Sequence, residues 1–175
     1  FNKNLLNWDT GNVQDMESMF ENAIKFNKDL SAWDTSKVTT MKNMFKMPLK
    51  ENGKPEHGDF DKTIHTWNFE LVTSMESMFE NGKCNHDTNP IDISVPALVS
   101  SKNMFKNSEY ENSLRFRNTN SLLDTSGMFE KTSNIVGTDT FIFDDTSRVT
   151  DMSYMFSNCV NFKNNTNTIE LDTSM

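Results

Sequence analysis

The pair Met-Phe stands at six places in the chain: Met19-Phe20, Met44-Phe45, Met78-Phe79, Met104-Phe105, Met128-Phe129 and Met155-Phe156. The phenylalanines are 25, 34, 26, 24 and 27 residues apart. A unit this short cannot bury an apolar face alone, and stacking each copy on the next is the stable solution. Residues 1–175 therefore read as a single repeat array of about six to seven coils.

Superposing the Met-Phe pairs brings further columns into line. Seven residues before each Phe stand Val13, Val38, Val72, Leu98, Leu122 and Val149, and four before stand Met16, Met41, Met75 and Met152. Three after stand the small residues Ala23, Gly82, Ser108, Thr132 and Cys159, and twelve before stand Trp8, Trp33, Trp67 and Ile93. The expected repeat core is Trp8, Phe20, Trp33, Phe45, Trp67, Phe79, Phe105, Phe129 and Phe156. A tryptophan column that gives way to Ile93 points to core packing and not to a sugar-stacking platform.

Val13, Met16, Met19, Phe20 and Ala23 fall on one face of a helix. A helix of about ten residues is thus expected in each coil, started by Ser36 or by Thr10 or Gly11 and stabilised only by stacking. Ile91-x-Ile93, Phe141-x-Phe143 and Ile169-x-Leu171 alternate as strands do. Leu30 to Trp33 and Ile64 to Trp67 are read as short strands ending at a corner. The expected fold is an α/β, leucine-rich-repeat-like solenoid, with short parallel strands on one face and short helices on the other.

Composition agrees with stacking. Only 35% of residues are apolar, little for a compact globule and enough for an array. The net charge of -8 argues against a nucleic-acid partner, which needs a basic surface. No apolar run approaches the roughly 18–20 residues of a membrane span, and no secretory signal is visible. Phe1-Asn2-Lys3-Asn4-Leu5-Leu6-Asn7-Trp8 matches Phe26-Asn27-Lys28-Asp29-Leu30-Ser31-Ala32-Trp33, and Leu171-Asp172-Thr173-Ser174 matches Trp33-Asp34-Thr35-Ser36. Both ends cut through a repeat, so the chain reads as a fragment of a longer array.

The string Trp33-Asp34-Thr35-Ser36-Lys37-Val38-x-x-Met41-x-x-Met44-Phe45 resembles the BspA-like leucine-rich-repeat surface proteins, in the Met-Phe-rich form abundant in mycoplasmas. Tyr154-Met155-Phe156-Ser157-Asn158-Cys159-Val160-Asn161-Phe162 is similar to the core of the wider BspA-type repeat. The resemblance implies cell-surface or extracellular display, often as a lipoprotein anchored through a region outside this chain. It also implies adhesion to, or contact with, a protein on a host or neighbouring cell. It brings no catalytic residues. The copy around Phe129 departs most, because Asp124-Thr125-Ser126 lies only five residues before Phe129.

Four features are candidate sites. The spacing of 34 between Phe45 and Phe79 leaves an insertion loop at 47–59, rich in Pro and Gly; insertions in repeat arrays often bind partners. Its polar residues Lys50, Glu51, Lys54, Glu56 and His57 are the candidate partner contacts. Asp9, Asp34, Asn68, Asp145 and Asp172 form an acidic corner column, read as turn caps in preference to calcium ligands. Cys84-Asn85-His86-Asp87 has no second ligand pair and matches no zinc motif. Cys84 begins a loop and Cys159 fills a small core position; their coils lie roughly 14 Å apart at the strand spacing, so neither is expected in a disulfide. No nucleophile elbow, phosphate loop or His-Glu-x-x-His occurs. The expectation is a non-catalytic interaction module without cofactor, with a structural spacer or the targeting arm of a larger enzyme as alternatives.

Overall fold

The computed structural model describes residues 1–84, 90–135 and 139–162, with the backbone of 169–171. Each Met-Phe copy forms one coil, and each coil lies directly on the next. Parallel bridges run Asp15 to Thr40, Thr40 to Ser74, Ser74 to Ser100, Ser100 to Asp124 and Asp124 to Asp151, one step per coil.

The expected helices are absent: among the described residues the secondary structure is strand, bridge and turn only. The α/β, leucine-rich-repeat-like architecture with helices on one face is therefore corrected. The three-residue spacing that suggested a helix belongs to successive β-turns. The amide of Met19 donates to the Met16 carbonyl, that of Glu21 to Ser18 and that of Ala23 to Phe20. The residue before each Met-Phe pair has φ between 54° and 61°: Ser18, Asn43, Ser77, Asn103, Gly127 and Tyr154. A helix cannot continue through that left-handed conformation, whereas the third position of a type II turn requires it. A second left-handed column follows two residues after Phe at Asn22, Asn81, Asn107, Lys131 and Asn158.

The turns free alternate amides to reach the following coil. Met16, Ser18, Phe20 and Asn22 donate to the carbonyls of Thr40, Lys42, Met44 and Lys46, at 2.9–3.1 Å. The same four-rung pattern repeats at every step; in the Phe rung, Phe45 donates to Met78, Phe79 to Met104, Phe105 to Met128 and Phe129 to Met155. These backbone bonds, not intrahelical ones, satisfy the segment.

The opposite wall changes character along the stack. In the first three coils Trp8, Trp33 and Trp67 close turns onto Leu5, Leu30 and Ile64 through their amides, so the two expected corner strands are turns. In later coils the wall becomes a parallel sheet of four strands in the order β1 (Ile91–Ser94), β2 (Leu114–Arg117), β3 (Phe141–Phe143), β4 (Ile169–Leu171). Ile91, Leu114, Phe141 and Ile169 share one register position. Leu114-x-Phe116 carries the same alternation as the three expected strands.

The core lies between the walls. Phe20, Phe45, Phe79, Phe105, Phe129 and Phe156 form a continuous column, with centroids 5.3–5.6 Å apart and planes within 8° of parallel. Phe45, Phe79, Phe105 and Phe129 are fully buried, as are Met44, Met78, Met104 and Met128. Trp33 and Trp67 are buried, and their indole N–H groups donate to the carbonyls of Leu5 and Leu30. Trp8, in the first coil, stacks on Trp33 at 6.4 Å and is 54% exposed. Phe156 is half-buried.

Candidate protein interface

The insertion between coils 2 and 3 folds as a tight hairpin. Leu49 and Pro55 form an antiparallel bridge, the Lys50 amide donates to the Lys54 carbonyl at 2.7 Å, and the Gly53 amide donates to Lys50 at 2.8 Å. Gly53, at φ 74°, is the left-handed residue that such a short loop needs. The base is anchored in the stack: the amide of buried Met47 donates to Glu80, its carbonyl accepts the Asn81 side-chain amide at 2.9 Å, and Gly58 packs on its sulfur. The tip projects Lys50, Glu51 and Lys54 into solvent. Lys50 pairs with Glu56 at 3.5 Å. His57 turns back to the body, with Nδ1 3.4 Å from the Gly82 carbonyl and Nε2 3.9 Å from Glu109. The five candidate residues thus divide: Glu51 and Lys54 face solvent at the tip, Lys50 and Glu56 pair with each other within the hairpin, and His57 is part of its attachment.

A second surface feature was not read from the sequence as a site, although Asn68 of the corner column lies in its lining. Where the turn-built wall gives way to the sheet, His65, Asn68, Glu70, Asp92, Ser94 and Arg117 line an open cleft of about 290 Å³, with Trp67 and Ile93 in its floor. Arg117 holds Asp92 at 2.9 Å, and Ser94 donates to Glu70 at 3.0 Å while accepting from Asn118 at 3.0 Å. The signal for it lay in the change from Ile-x-x-Trp at 64–67 to Ile-x-Ile at 91–93, which marks the step between wall types.

The acidic corner column serves the backbone. Asp9, Asp34, Asn68 and Asp145 each accept the amide two residues on, from Gly11, Ser36, Glu70 and Ser147, at 2.8–3.1 Å. The Ser36 hydroxyl and then its amide hold the Asp34 carboxyl below the ordinary value, and Ser147 does the same for Asp145. Asp172 lies outside the described residues. Among the described residues no group of three or more His, Cys, Asp or Glu side chains could hold a metal; of Cys84-Asn85-His86-Asp87 only Cys84 is described. Cys84 and Cys159 are both free thiols. Burial pushes Cys84 up to about 12 and Cys159 up to about 11, far from a reactive thiolate. Among the described residues no helix is long and apolar enough to cross a membrane.

The family model described as "Mycoplasma protein of unknown function, DUF285" matches residues 1–87, 54–141 and 99–174. The chain belongs to the DUF285 family. The three overlapping matches span nearly all of it, as expected when a DUF285 unit holds several coils and repeats along an array. Comparison with curated proteins and with solved structures yields no match.

Proposed function

We propose that this DUF285 chain is a non-catalytic protein-interaction module of the cell surface, serving adhesion or contact with a host or neighbouring cell. The observation that carries this reading is the hairpin: a rigid stack holds Met47 and Gly58 in place while Lys50, Glu51 and Lys54 stand clear of it. A charged projection on an otherwise repetitive body suits partner recognition better than uniform packing. The likeness of residues 33–45 to BspA-like surface repeats supports display outside the cell, although its helical architecture does not apply.

Two measurements test the reading. Protease added to intact cells should remove the protein, and cells that protect it would exclude surface display. Purified chain should bind target cells saturably and in the presence of chelator. Replacing Lys50, Glu51 and Lys54 together by Ala should lower that binding at least tenfold without moving the unfolding midpoint. Undiminished binding would turn the hairpin into a neutral excursion.

A further inference from the structure

The junction between the two kinds of wall leaves a strand edge open. Ile91 and Val95 donate their amides to the carbonyls of Ser113 and Arg117. Alternate residues of a parallel ladder face opposite neighbours, so the amides and carbonyls of Asp92 and Ser94 face away from β2, toward coil 3. Coil 3 offers them a turn there: the Trp67 amide closes on Ile64 and the Val72 amide on Phe69. Among the described residues no backbone hydrogen bond joins residues 64–70 to β1. The side-chain contact of Ser94 with Glu70 stands where backbone pairing joins β1 to β2 and β2 to β3. An open edge of this kind is a template for another strand. The cleft runs alongside it, from His65 to Arg117.

The charge around the edge selects the strand. Glu70 and Asp92 stand on either side of the cleft, Arg117 is committed to Asp92, and the whole chain carries -8. We propose that β1 is a docking edge for an extended, basic peptide segment of a partner protein, which adds as a strand across Asp92 and Ser94 and places a cationic side chain against Glu70. The proposal rests on the protein-interaction reading and names a partner chemistry for it. Main-chain pairing supplies the affinity in this mode, and alternate side chains supply the selectivity.

Fluorescence anisotropy with a labelled heptapeptide alternating lysine and valine tests it on the whole chain. The peptide should bind saturably; an acidic analogue with glutamate for lysine should bind at least tenfold more weakly, and so should a lysine-valine peptide N-methylated at alternate residues. Ser94→Pro, which removes the outward amide at an edge position that tolerates proline, should lose binding at least tenfold. Ser94→Ala, which keeps the amide, should retain binding. If Ser94→Pro does not fold, the methylated peptide still decides. Equal binding of the methylated or acidic peptide, or no binding by the parent peptide at about 1 mM, in the millimolar range where recognition is already weak, overturns the docking edge. The cell-binding result for the hairpin variant stands apart from all of these outcomes, so failure of this proposal is distinct from failure of the interaction reading.

Discussion

The left-handed residue before each Met-Phe pair is the smallest unit on which the fold depends. Asn and Ser fill most of these positions, and Asn visits this conformation at low cost. Gly127 is the special case, since a Cβ there would meet both a positive φ and the Asn103 side-chain amide. Gly127→Ala should destabilise the chain by about 1–2 kcal/mol, read from urea denaturation. Lys131 has φ 61° in the second column, and its ion pair with Glu130 is a long 3.7 Å contact. Lys131→Gly should therefore stabilise, by about 0.5–1 kcal/mol, in the same assay. The thiols give a second residue-scale test. Buried Cys84 titrates near 12 against an ordinary 9.0, so the unfolded chain gives up this proton first. Stability should fall as pH rises above about 9, and alkylation at pH 8 should be slow until urea is added. Rapid alkylation at Cys84 of the folded chain, as distinct from half-buried Cys159, would contradict the burial.

At the scale of the element, the columns were legible in the sequence and the backbone that makes them was not. Aligning the chain on itself places Phe45, Phe79, Phe105 and Phe129 in one column, and the structure stacks them. The same spacing of Val13, Met16, Met19, Phe20 and Ala23 fits a helix face and a series of turns equally well, because both bring residues three apart onto one side. What separates them is the run of Asn, Ser and Gly before Met-Phe, whose meaning is a positive φ. Apolar alternation located β1, β3 and β4, whereas the three-residue spacing at Leu30 and Ile64 is that of turns closed by tryptophan amides. The hairpin was legible as a loop from Pro and Gly; the docking edge was not, since an unpaired amide has no residue signature. One further column alternates in charge from coil to coil: Glu21, Lys46, Glu80, Lys106 and Glu130. Within it Lys46 meets Glu80 at 3.0 Å and Lys106 meets Glu130 at 2.7 Å. Glu80→Lys would place three cations in succession, and should cost about 1 kcal/mol at low salt. The loss should shrink at about 1 M salt, where screening acts within about 3 Å; a salt-independent loss would assign the effect to packing.

At the scale of the whole molecule, the backbone rungs and the ring stacking among the described residues join neighbouring coils, with the insertion's His57–Glu109 contact reaching further, so stability should be close to a sum of coil and interface contributions. Phe45→Ala and Phe79→Ala should each cost about 3–5 kcal/mol. Because their rings stack at 5.5 Å, the double variant should depart from additivity, whereas Phe45→Ala with Phe129→Ala, three coils further on, should be additive within about 0.5 kcal/mol. Equal coupling in both pairs would mean one undivided core. The four amide rungs have a directional consequence. At each of them the N–H points to the later coil and the carbonyl to the earlier one, from Met16 through to Ser157. Peptide dipoles aligned in this way add, as they do along a helix axis. The stack is therefore electrically polar along its length, negative toward its early coils and positive toward its late ones. For two such bodies meeting end to end the dipoles favour head-to-tail over head-to-head order, which gives arrays of these coils a built-in sense of direction.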